Sequence, residues 1–130
     1  MSRFPMKPDE TYRKMLQTAE AVDVWNEVFA LRGYVGVPFN GFWRGNEFVL
    51  VLPNGAEEIE RPPDLGEVWR LLEETTTIEF RVTSSACRTV EKMDSAGNWN
   101  AVAPGLNLLP ALMVLLVGHE WDAERGDWRR

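Results

Sequence analysis

The sequence predicts an α+β fold in one domain: a long N-terminal helix, an antiparallel β-meander with hairpins, a short middle helix and an apolar C-terminal helix. Three observations carry this. Apolar residues recur at three- and four-residue steps through the first quarter of the chain. From residue 34 onward the pattern changes to short apolar runs punctuated by Gly, Asn, Asp and Pro. No internal repeat or low-complexity linker divides the 130 residues, a length near the commonest domain size.

The helix is predicted over 9–32. Tyr12, Met15, Leu16, Ala19, Val22, Trp25, Val28 and Phe29 form one stripe, with Val24 and Leu31 widening it in the second half. Asp9 and Glu10 sit where the helix dipole favours negative charge, and Gly33 follows where a left-handed residue ends a helix. A three-stranded meander follows. Phe39-Asn40-Gly41-Phe42-Trp43 leads into the turn Arg44-Gly45-Asn46, and Glu47 to Leu52 makes the second strand. Pro53-Asn54-Gly55 then turns into Ala56-Glu57-Glu58-Ile59-Glu60. The middle strand is apolar on both faces, and the third is charged, as an edge strand should be.

Arg61-Pro62-Pro63 breaks the chain, and Asp64 with Glu67 makes a capping-box pattern for a helix over 65–74. Leu65, Val68, Trp69 and Leu72 would face the core. Residues 77–82 alternate as a half-buried strand, and 89–93 with 98–102 read as a hairpin across Asp94-Ser95-Ala96-Gly97. The segment 111–117 is apolar on every side, so periodicity does not separate helix from strand. Asn107 as N-cap, Pro110 before it and Gly118 after it favour a helix, in the core or at an oligomer contact. The tail from about residue 120 extends this helix polar-side out or is loose.

Composition excludes more than it assigns. The formal net charge of -6 disfavours nucleic acid and anionic membranes. Cys87 is alone, so no internal disulfide framework exists. The first residues lack the apolar run of a signal peptide, and 106–117 is too short to span a bilayer. A cytoplasmic location is expected. Cys87 and His119 do not have metal-ligand spacing, the EF-hand spacing is missing, and the glycines form no phosphate loop. No metal or cofactor is expected. A nucleophile would have to come from Ser84-Ser85-Ala86-Cys87 with His119 as its base, but a lone Cys beside a strand is ordinarily a small hydrophobe.

Six tryptophans remain to be placed, in six different stretches. Trp25, Trp69 and Trp99 lie on apolar patterns and are assigned to the core. Phe42, Trp43 and Arg44 beside the hairpin turn have the aromatic-plus-Arg composition of interface hot spots. Trp121, Arg125 and Trp128 on the charged tail form a second such mixture. These six residues are the candidate contacts with a protein partner. The expectation is a non-enzymatic binding module acting as an inhibitor, adaptor or accessory subunit. The alternatives are a small hydrolase or transferase using carboxylates that no spacing selects, and a structural subunit oligomerising through the C-terminal helix.

Overall fold

In the computed structural model, which describes residues 10–34, 41–45, 47–84 and 88–129, the N-terminal amphipathic stretch folds as two helices rather than one. Helix α1 spans Glu10–Leu16, a 3-10 turn covers Ala19–Ala21, and α2 spans Val22–Leu31. The break falls at Gln17 and Thr18, where Thr18 has extended backbone (φ -86°, ψ 159°). A threonine hydroxyl competes for nearby carbonyls, and here Thr18 Oγ1 donates to the Met15 carbonyl at 2.6 Å. The Trp25 indole N–H donates to the Leu16 carbonyl at 3.0 Å. Side chains thus satisfy carbonyls that a continuous helix would have used.

The break also resets the helical phase. Ala21, Val24, Trp25, Val28 and Phe29 are buried at three- and four-residue steps, so Val24 belongs to the stripe, whereas Ala19 is exposed. Gly33 (φ +98°) ends α2 as expected. Its N–H donates to the Ala30 carbonyl and the Tyr34 N–H to the Phe29 carbonyl, the paired bonds of a Schellman motif. The Tyr34 ring then meets Phe29 edge-on at 5.8 Å.

The meander forms as predicted: β1 (Gly41–Arg44), β2 (Glu47–Val51) and β3 (Glu57–Glu60) pair antiparallel with β2 in the middle. Phe48 and Leu50 point inward to the main core, and Phe48 stacks on Trp25 with ring centroids 4.2 Å apart. Helix α3 (Leu65–Thr75) starts with the predicted capping box: the Glu67 N–H donates to Asp64 Oδ1, and the Asp64 N–H to Glu67 Oε1. It buries Val68, Leu71 and Leu72, so its buried face is rotated from the predicted stripe and leaves Leu65 exposed. Trp69 is half-buried against Phe80, 5.2 Å away.

The second sheet is β4 (Phe80–Ser84), β5 (Arg88–Met93) and β6 (Trp99–Ala101), again antiparallel in sequence order. Its first strand begins at Phe80 rather than residue 77, because the chain after α3 leaves Ile78 in solvent before pairing starts. Trp99, expected in the core, lies on the outer face of this sheet, with the Arg81 guanidinium 4.1 Å from its ring centre. Helix α4 (Leu108–Val117) confirms the helical reading of the apolar segment and packs against α1, α3 and β5. Pro110 to Leu115 are all buried within this chain, which leaves the helix no broad apolar surface for a second copy. No helix among the described residues is long and apolar enough to cross a membrane.

The tail is neither an extension of α4 nor loose. Strands β7 (Trp121–Asp122) and β8 (Asp127–Trp128) pair as a small hairpin. Asp122 shapes its loop by accepting from the Glu124 and Arg125 N–H groups through Oδ1. The hairpin comes close to α1: a Cβ at Gly126 would stand 3.1 Å from Lys14 Nζ.

A polar clamp ties the helices to the meander, and sequence reasoning did not find it. Arg32 grips Glu67 with two bonds of 2.8 Å, from Nε to Oε2 and from Nη2 to Oε1. Its Nη1 donates to Glu60 Oε1 at 3.2 Å and to the Arg61 carbonyl at 2.9 Å. The end of α2, the end of β3 and the start of α3 therefore share one guanidinium, whose planar fork suits bidentate binding. Burial works to raise the Glu67 carboxyl, but Arg32, the Asp64 N–H and Arg61 outweigh it and hold it below the usual carboxylate range. Tyr34 donates to Glu58 Oε2 at 2.7 Å and Glu60 Oε2 at 3.0 Å, and these bonds, the Glu58 one foremost, push its phenol up. Tyr12 caps the cluster by donating to the Pro63 carbonyl at 2.7 Å.

Candidate functional site

The six predicted contact residues divide between two places. Around the first hairpin, strand alternation separates Phe42 from Trp43. Phe42 faces outward and is 42% exposed, whereas Trp43 turns inward and packs edge-on against Phe48 at 5.4 Å. Trp43 is thus a rim of the core, not a free contact. Its indole Nε1 is shut off from solvent and has no hydrogen-bond partner among the described residues.

Phe42, Val49 and Ile59 stand in one cross-strand row on the other face of the meander, with Val49 fully buried and Phe42 and Ile59 exposed on either side of it. Among the described residues the exposed large apolar side chains are Phe42, Ile59, Leu65 and Ile78, so two of them share this row. Ile59 is the most open, at 60%. Arg44 lies back over the Phe42 ring, 5.4 Å from its centre, and its Nη2 meets Glu57 Oε1 at 2.8 Å. Because β1 and β3 flank β2, this ion pair crosses the middle strand above the apolar row. Exposed on both sides, the pair adds little stability, but it holds the guanidinium beside the exposed Phe42 ring. Ile59 was hidden from sequence reading by the glutamates around it, which mark β3 as an edge without saying which side chains share the Phe42 face.

On the tail the predicted trio also separates. Trp128 is fully buried, contrary to its assignment as a contact. Its indole N–H donates to Thr18 Oγ1 at 2.8 Å, so the last strand plugs the break between α1 and α2. Trp121 stays half-buried, edge-on to Trp128 at 4.9 Å. Arg125 is exposed in the hairpin loop.

Trp121 forms part of a cleft of about 370 Å³ between the tail hairpin, β6 and α4, walled by Val102, Leu106 and Val114 and carrying Lys92 and Arg129. A second cleft of about 580 Å³ adjoins it, shares Val102, Ala103, Pro104 and Leu106, and carries Arg88. The loop between the two has a non-glycine residue in the left-handed region, Ala103 at φ +50°. Sequence reasoning missed this groove, because its lining comes from β5, the loop before α4 and the tail.

His119 is exposed after α4, and Cys87 lies outside the described residues, as do Phe39, Asn46 and Ser85. No group of three or more His, Cys, Asp or Glu gathers as metal ligands among the described residues. Comparison with family models, with curated proteins and with solved structures finds no match for the chain.

Proposed function

We propose that this chain is a non-enzymatic protein-binding module that docks through the outer face of its first sheet. The observation that carries the reading is the pair of exposed apolar side chains Phe42 and Ile59, which share a cross-strand row with the fully buried Val49 between them and have the Arg44–Glu57 ion pair beside them. Interfaces are built this way, with aromatic and aliphatic anchors at the centre and charge at the rim. A short sheet edge protected by glutamates favours side-chain docking on this face over strand addition at β3.

Affinity capture from the native host tests the reading. The wild-type chain should retain a defined protein partner, and Phe42→Ser with Ile59→Ser should release it while the thermal transition stays within about 0.5 kcal/mol of wild type. Retention of the same partner by the folded double variant would refute docking at this face.

A further inference from the structure

We infer that the groove beside the 103–106 loop is a second binding site, and that it takes an extended acidic peptide segment. Its lining is opposite in sign to the chain as a whole. Arg88, Lys92 and Arg129 face it, with Glu120 the carboxylate among its described lining residues, in a chain of net charge -6. Neither Arg88 nor Lys92 has an ion pair among the described residues. Arg129 is held only loosely, 3.7 Å from Glu120 and 4.0 Å from Asp122. A cluster of cations with little countercharge among the described residues creates, in an acidic chain, a local field that draws carboxylates in and steers their approach.

The strand geometry sets the spacing. Arg88 and Lys92 lie on β5 with Val90 between them, and alternation puts all three on the face that packs toward α4. Four residues of strand separate the two cations by roughly 13 Å. An extended peptide presents its residues i and i+4 at the same separation, with residue i+2 on the same side. Carboxylates at i and i+4 would meet Arg88 and Lys92, and an apolar i+2 side chain would meet Pro104 and Leu106 between the lobes. Single-stranded nucleic acid fits less well. Such strands need successive aromatic platforms, and among the described lining residues of this groove Trp121 is the one aromatic.

The test uses the full chain and three probes: the capped heptapeptide Ser-Glu-Ser-Leu-Ser-Glu-Ser, the same peptide with glutamine for both glutamates, and a thymidine hexanucleotide. Nitrogen–proton correlation spectra report the Trp121 indole and the backbone of β5. The acidic peptide should shift the Trp121 and 88–92 signals saturably, and the glutamine peptide should not. Arg88→Glu with Lys92→Glu should weaken binding by at least about tenfold while the remaining spectrum stays in place. Absence of saturable shifts, equal shifts with the glutamine peptide, stronger binding of the hexanucleotide, or undiminished binding by the folded double variant would each overturn the proposal. Phe42→Ser with Ile59→Ser should leave this titration unchanged, so the groove stands or falls apart from the meander face.

Discussion

Replacing Arg32 by alanine should be among the most damaging single changes outside the apolar core. The substitution removes both donors from Glu67, one from Glu60, and the guanidinium cover of the Arg61 and Pro62 carbonyls. Deleting one partner of a buried ion pair costs about 3–5 kcal/mol, because the other charge is left without compensation. Here the Glu60 and Glu67 side chains keep 13% and 14% exposure, and Glu67 retains the Asp64 N–H at 3.0 Å. The cost therefore falls at the lower end, about 3 kcal/mol. With a urea dependence of roughly 2 kcal/mol per molar, the midpoint should fall by about 1.5 M.

The pH profile adds a second signature of the same clamp. The Glu67 carboxyl is held below its ordinary range in the folded chain, so its contribution is complete above its unfolded value and is lost as pH falls through its folded value. Without Arg32 the largest favourable partner is gone, and the acid-side loss of stability should become shallower. Glu67→Gln keeps an oxygen for the Asp64 N–H but loses the charge, so it should cost less than Arg32→Ala at neutral pH. Urea melts across the acid range measure all three. A loss under about 0.5 kcal/mol for Arg32→Ala, or an acid limb identical to wild type, would refute the clamp.

Other expectations follow from the tryptophans and from the two surfaces. Trp128→Ala should cost about 3–5 kcal/mol in chemical denaturation, the toll of emptying a fully buried aromatic site. Trp128→Phe should cost about 1–2 kcal/mol by removing the indole donor to Thr18 Oγ1, which keeps its own bond to the Met15 carbonyl; a neutral alanine variant would show the tail to be undocked. Trp43→Phe removes an indole N–H that has no acceptor among the described residues, so denaturation should find it neutral or stabilised by up to about 1 kcal/mol. A loss above about 1 kcal/mol would mean that the N–H has a partner. Partner capture with the Phe42 and Ile59 variants and peptide titration with the Arg88 and Lys92 variants address the two surfaces separately.

Local chemistry was legible wherever it is decided locally. The capping box at Asp64 and Glu67, the turn after Arg44, Gly33 and Gly118 at helix ends and the Asn107 N-cap of α4 all operate within a few residues, although α4 begins at Leu108 and takes Pro110 into its first turn. The helix break at Thr18 was not legible, because two tertiary bonds sustain it. One is the Trp25 indole to the Leu16 carbonyl, and the other is the Trp128 indole to Thr18, 110 residues away. A three-and-four-residue stripe predicts one helix when the phase jump at a break recruits Ala21 and Val24 in place of Ala19 and Val22. The Arg32 clamp was hidden for the same reason: its partners lie 28 and 35 residues on, and a Pro-rich break stands between them.

For the surfaces, residue type carried less information than strand parity. Tryptophan beside charge suggested contact in three places, yet each ring is placed by the face its strand gives it. Trp43 and Phe42 are adjacent and point opposite ways, so the exposed anchor is the phenylalanine. Trp128 sits between Asp127 and Arg129, and alternation sends those charges outward while the indole goes in to fill the gap at Thr18. Charge at neighbouring positions is therefore what a strand with one buried face should show, and it is no sign that the aromatic between them is free. The same parity sets Arg88 and Lys92 on the Val90 face of β5, where neither has an ion pair among the described residues. The more specific indication of binding on this chain comes from those cations and from the Phe42–Ile59 row. The tryptophans mainly build the frame that presents both.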